Sequence, residues 1–211
     1  MVSYTMHQTR QEATTRLPIT RKGTTYVARA SSDLKNSVPV VIAVRDILNL
    51  AKTKKEVKKM INQKKLKING REVIDHNESI ALFNIFEAGK NYVLKLSTTR
   101  KFFFEEIKDA KERLCKVIGK TILPGNKVQI NLHDGTNILG DNKFSVGDSV
   151  YLDISGKIKK HVSPEKGNQA FIISGKYEGQ SGKISDVKDK KISIKLDKGI
   201  AILDLDNLII L

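Results

Sequence analysis

Residues 53–73 read TKKEVKKMINQKKLKINGREV, and within this one stretch the pattern passes from helical to β spacing. Thr53 followed three positions later by Glu56 is a capping-box pair, whose side chains accept hydrogen bonds from backbone N–H groups that a first helical turn leaves unpaired. A helix therefore starts near Thr53. Val57, Met60 and Ile61 fall at i, i+3 and i+4 and share one face, whereas Lys55, Lys58 and Lys59 share the opposite one. After Gln63 the period drops to two. Leu66, Ile68, Arg71 and Val73 flank Asn69-Gly70, a dipeptide that tolerates φ > 0 at both central positions of a tight hairpin turn. Lys64, Lys65, Lys67 and Arg71 carry the positive surface into the hairpin, and Lys52 and Lys54 extend it to the helix cap.

A charged helix face can be a solvated surface that binds nothing. The charge balance of the chain argues for more. Its 211 residues hold 38 Lys and Arg against 23 Asp and Glu, a net charge of +15, beyond what solubility requires. A polyanionic partner is the simplest account. The excess is uneven, because residues 1–80 contribute 16 basic and 7 acidic side chains. The amino-terminal part is therefore expected to make most of the contact.

Composition also narrows the class. An apolar share of 39% is modest for one large core and fits small modules better. The longest apolar run, Val38 to Val44, is interrupted by Pro39, while a membrane span needs about 20 residues, so no membrane partner is expected. The first 20 residues contain no apolar stretch of the signal-peptide kind, which predicts a cytoplasmic protein. Cys115, the single cysteine, cannot form an internal disulfide or a cysteine-based zinc cluster, and it is expected to pack in a helix after Leu114. His7, His76, His133 and His161 show no metal-ligand spacing, so neither metal nor cofactor is expected.

Along the chain, residues 1–36 lack sustained periodicity and place Arg16, Arg21, Lys22 and Arg29 among Thr, Gly and Ser. They read as a basic extended arm that gains order only against a partner. From Pro39, Val40, Val41, Val44, Ile47, Leu48 and Ala51 form a helical apolar stripe ending at Lys52. Residues 77–85 and 91–96 are β-compatible, and Ser97 to Phe104 (STTRKFFF) is strand-like with a basic, aromatic tip that could stack on bases or pack in a core. Glu105 to Cys115 has Ile107, Ala110 and Leu114 at helical spacing. Thereafter strands are expected over 127–132, 149–154, 157–162, 190–196 and 201–205, with a turn at His133-Asp134-Gly135. Between Ala170 and Ile184 a strand enters, glycines fall at 175, 179 and 182, and a second strand leaves. Lys176 and Tyr177 stand at the tip of this hairpin.

Residues 39–85, with the turn Lys67-Ile68-Asn69-Gly70-Arg71, resemble the S-four RNA-binding domain, and residues 170–184 resemble a KOW motif. The order of parts resembles small-subunit ribosomal protein four of the archaeal and eukaryotic type, the S-four-e family. The parts are Arg16-Leu17-Pro18 and Arg21-Lys22-Gly23 in the arm, then Val44-Arg45-Asp46-Ile47-Leu48, Leu132-His133-Asp134-Gly135 and the KOW-like end. Thr136 stands where that family often has arginine. The resemblance implies an α+β chain: a basic arm over 1–36, an S-four-like RNA-binding α/β module over 37–90, a central mostly β domain over 91–165 and a KOW- or SH3-like small β-barrel over 166–211. It also implies a non-catalytic protein of the small ribosomal subunit, with partners in the 5′ part of small-subunit rRNA and neighbouring ribosomal proteins and no small-molecule substrate.

The contacts expected first are Lys55, Lys58, Lys59, Lys64, Lys65 and Arg71, with Lys52, Lys54, Lys67, Asn69, the four arm cations and Lys176 around them. Two other classes compete. S-four domains also precede RNA-modifying enzymes, but the chain after residue 85 has no Arg-Leu-Asp signature and no GxGxxG after a strand. KOW motifs also occur in transcription factors, which lack the S-four-like module and the basic arm.

Overall fold

The helix and hairpin of residues 53–73 form where their spacing predicts. The helix Lys54–Asn62 is capped by Thr53, whose hydroxyl accepts from the Glu56 N–H at 3.2 Å, while the Glu56 carboxylate accepts from the Lys52 N–H at 2.8 Å. Such a cap stabilises a helix by about 1 kcal/mol. The helix ends because Lys64 takes a left-handed φ of 55°, which lets its N–H reach the Ile61 carbonyl and the Lys65 N–H reach that of Met60. Strands Leu66–Ile68 and Arg71–Glu72 then pair across Asn69 (φ 53°) and Gly70 (φ 80°). The Asn69 side chain also accepts the Ile85 N–H at 2.9 Å, tying the turn to the next strand.

We describe a computed structural model covering residues 7–109, 111–125, 127–140, 143–188, 191–196 and 199–211. The chain divides after Ala110 into two compact units. In the first, an antiparallel sheet runs in the order Arg71–Glu72, Leu66–Ile68, Ile85–Ala88, Asn91–Leu96, Phe102–Ile107. Its core gathers Val38, Val57, Leu66, Ile80, Phe86, Leu94 and Phe102, each worth roughly 1.5–3 kcal/mol of burial. Because strands 91–96 and 102–107 belong to this sheet, the boundary expected at residue 90 falls inside one folded layer.

Three further expectations are corrected. The stripe from Val40 is helical only over Val40–Ile42, continues as a wide π turn over Ala43–Ile47 and stops at Asn49, whose φ is 54°. Val40 to Val44 are buried without exception, so the segment is enclosed on all sides instead of presenting one stripe. Residues 7–36 are not an arm waiting for a partner. His7–Thr9 pairs with Tyr26–Ala28, Leu17 is 2% exposed, and the Phe102 N–H donates to the Arg16 carbonyl at 2.9 Å. The helix expected over Glu105 to Cys115 is absent: Phe102–Ile107 and Glu112–Leu123 are strands, and Ala110 lies outside the described residues.

In the second unit, the twelve-residue strand Glu112–Leu123 serves two ladders. Glu112 to Lys116 pairs with Ser149–Asp153, and the stretch beyond Val117 pairs with Lys127–Leu132 after a register shift before Gly119. The sheet order is Asn137–Gly140, Lys127–Leu132, Glu112–Leu123, Ser149–Asp153, Ile158–Val162. Cys115 is fully buried on this strand, with Val117, Ile130, Leu132, Val150 and Leu152 around it. A second antiparallel sheet follows the order Gly199–Asp204, Lys191–Leu196, Ser181–Lys188, Gln169–Ile172, Leu208–Ile210 over its own core of Ile172, Ile184, Ile192, Ile194 and Leu208. Lys190, expected to open one strand, lies outside the described residues. The glycines between 170 and 184 differ in their reasons. Gly175 and Gly179 have φ of 99° and 83°, whereas a Cβ on Gly182 would strike the Lys195 carbonyl oxygen. The described residues are thus mostly β with few helices, and none of their helices is long and apolar enough to cross a membrane.

Candidate nucleic-acid interface

The basic helix buries Val57 and Ile61 and exposes Lys54, Lys55, Lys58 and Lys59. Apolar anchoring on one face is what aims the lysines outward. The charges of Lys54 and Lys58 act on His76, which is 8% exposed. Burial holds the His76 imidazole below its usual pKa against the pull of Asp75, and the positive field of Lys54 and Lys58 lowers it further. His76 therefore stays neutral beside the helix at physiological pH.

The cations foreseen from the sequence divide into two sets. Lys64 pairs with Glu72 at 3.1 Å, Lys67 with Glu87 at 3.9 Å, and Arg71 with Glu78 at 2.7 Å, so the hairpin is largely neutralised by two carboxylates of its own sheet and one of the loop that follows it. Lys52, Lys54, Lys55, Lys58, Lys59 and Lys65 have no ion-pair partner among the described residues and are all exposed. The uncompensated field belongs to the helix and its two ends. Asn69, also foreseen as a contact, is a hinge of the turn, its side-chain oxygen already bonded to the Ile85 N–H.

Of the arm cations, Arg21 and Lys22 are exposed in the loop between the paired strands. Arg16 is half-buried and donates to the Asn36 side chain, and Arg29 is half-buried near Glu12. Lys176 belongs to the other unit, where its ammonium sits 5.6 Å from the Tyr177 ring centroid. The phenylalanines also divide, with Phe102 2% exposed in the core and Phe103 39% exposed.

Sequence reasoning missed Arg10, which is anchored by bonds from Nε to the Thr24 carbonyl (2.8 Å) and from Nη2 to the Thr24 hydroxyl (3.0 Å). It also missed Arg45, whose guanidinium pairs with Asp46 through two 2.8 Å bonds. Adjacent Arg-Asp was the available signal for a self-neutralised pair. Arg10 has no such signal, because its partners are backbone and hydroxyl oxygens of a loop distant in sequence.

Comparison with known proteins places these parts in a wider set. A profile of the ribosomal family S4e matches residues 88–158, and one of the KOW motif matches residues 166–198. The small ribosomal subunit protein eS4 of Methanocella arvoryzae is 31% identical over 189 residues, covering 86% of this chain and 81% of the relative. Its counterpart from Archaeoglobus fulgidus is 32% identical over 189 residues, covering 87% and 80%. The crystal structure of the 30S ribosomal protein S4e from Thermoplasma acidophilum shares the fold, with a TM-score of 0.72 at 23% identity over 84% of this chain and 95% of that one. With two archaeal eS4 proteins aligned over four-fifths of their length, this chain belongs to the ribosomal family S4e.

Proposed function

We propose that the chain is a structural protein of the small ribosomal subunit that binds rRNA, in its 5′ part, through the capped helix Lys54–Asn62 and the basic positions at its ends. The observation that carries this reading is the row of exposed lysines without carboxylate partners on a helix whose other face is anchored in the core, in a chain whose relatives are small-subunit proteins. Phosphates supply what those lysines lack. Each contact releases condensed counterions, while the deep, narrow major groove of A-form RNA keeps side chains from reading bases there. Recognition then rests on backbone shape at junctions, and the protein acts as a brace with no catalytic step. Neighbouring ribosomal proteins are its other partners. Neither the RNA-modifying enzyme nor the transcription factor considered from the sequence finds support among the relatives.

The test combines Lys55→Glu, Lys58→Glu and Lys59→Glu and measures binding to a 5′ fragment of small-subunit rRNA. All three side chains are exposed, so the circular dichroism spectrum and melting temperature should hold. Affinity is expected to fall by about a hundredfold or more at near-physiological salt. Undiminished binding by the folded triple variant would remove this helix from the interface.

A further inference from the structure

Between the paired strands His7–Thr9 and Tyr26–Ala28 and the enclosed segment Val40–Ile42 lies a cavity of about 490 Å³. Its size falls within the range of about 300–1,000 Å³ usual for sites that take a small organic group. The lining is mixed, with Val41 and Ile42 giving an apolar floor and Arg10 and Lys54 giving charge. Neither of these two cations has a carboxylate partner among the described residues, whereas Arg45, also on the wall, is neutralised by Asp46. Tyr26 stands at the rim, 58% exposed, its ring braced by the His7 ring at 4.7 Å and 72°. Asn77 lines the same cavity at 2% exposure, and both its amide nitrogen and its amide oxygen lack a hydrogen-bond partner among the described residues. Native proteins rarely leave a buried amide unpaired on both sides.

We propose that this cavity receives one unstacked nucleotide of the bound rRNA. A nucleotide joins the three chemistries the cavity offers. Its phosphate meets Arg10 and Lys54, its base face meets the Tyr26 ring, and its base edge, with donor and acceptor side by side, pairs with the Asn77 amide once that side chain, whose polar atoms lie sealed just beneath the wall, turns toward the cavity. Lys54 also belongs to the basic helix, so the cavity continues the phosphate track and does not stand apart from it. The inference rests on the rRNA-binding reading and adds a site for a single base.

The experiment uses the full chain with the 5′ rRNA fragment, comparing the wild type, Tyr26→Ala, Asn77→Ala and the helix triple variant. Ultraviolet irradiation of the wild-type complex should give a cross-link to Tyr26 or His7 that maps to one nucleotide. Tyr26→Ala should abolish the Tyr26 cross-link and weaken binding about tenfold, the scale of one lost base stack. Asn77→Ala should shift preference among fragments that differ only at that nucleotide. If Tyr26→Ala and Asn77→Ala bind like wild type while the triple variant loses binding, the cavity proposal fails and the helix interface stands. Absence of any rRNA binding by the wild type overturns both. Tight binding of free AMP, GMP, CMP or UMP, with no cross-link in the RNA complex, also overturns it, since the cavity would then be a mononucleotide site.

Discussion

Lys116 is 3% exposed, and its ammonium donates to the carbonyls of Leu205 at 2.7 Å and Asp206 at 2.9 Å. Burial lowers its pKa from the ordinary 10.5 to about 8, with Asp206 opposing the shift. The folded state thus gives up this proton at a lower pH than the unfolded chain does. Below about pH 8 both states are protonated and the cost of burying the charge is constant. Between about pH 8 and 10.5 the unfolded chain binds more protons, so this residue should make stability rise with pH, by at most about 1.4 kcal/mol per unit. Urea unfolding of the wild type and Lys116→Met at pH 7.5, 8.5 and 9.5 checks this. The wild type should gain relative to the variant as pH rises, and parallel profiles would refute the assignment.

Arg113 and Asp134 show a second buried charge that works locally. The guanidinium pairs with Asp134, which also accepts from the Thr136 N–H at 3.0 Å and hydroxyl at 2.7 Å, closing the His133-Asp134-Gly135 turn. Thr136 is therefore part of the turn lock. Beside it the Cys115 thiol is raised far above its ordinary pKa by burial and by Asp134, so it behaves as a packed apolar group.

At the scale of elements, Gly182 shows what a hairpin asks of its sequence. Its strand passes so close to Lys191–Leu196 that a Cβ would also lie 2.7 Å from Ile194 Cγ2 and 3.0 Å from Leu196 Cδ2. The blocking Lys195 carbonyl is backbone and cannot swing aside. Gly182→Ala should destabilise the second unit by about 1–3 kcal/mol, read as a lower urea midpoint with an unchanged slope. A wild-type midpoint would mean the strands can separate at little cost.

The elements also show why some were legible and others were not. Lys54–Asn62 was readable because its cap and its apolar spacing lie within nine residues, and Asn69-Gly70 because a turn with both φ positive accepts few other pairs. Glu105 to Cys115 misled because Ile107, Ala110 and Leu114 satisfy helical spacing. Phe102–Ile107 instead completes a ladder with Asn91–Leu96, and Glu112 to Lys116 one with Ser149–Asp153. Those partners are separated in sequence, and pairing with them outweighs a local preference.

For the whole molecule, the net charge of +15 and the unpaired lysines predict steep salt dependence. If about six phosphates are engaged, affinity for the rRNA fragment should drop roughly a thousandfold between 50 and 200 mM salt. Filter binding across that range reads the slope directly. A flat profile would mean that apolar contact, not charge, holds the RNA.

The basic character, the capped helix, the hairpin turn and the KOW-like glycines are local facts, each decided by side chains a few positions apart, and the sequence alone determined them. Which cations stay free was decided only in three dimensions. Glu72, Glu78 and Glu87 reach Lys64, Arg71 and Lys67 across folded strands and turns, and the packing of residues 7–36 into the first unit follows from Leu17 and the Phe102–Arg16 bond. Spacing along a chain records which residues share a face; only folding sets which faces meet, because charge compensation and burial depend on distances between segments remote in sequence.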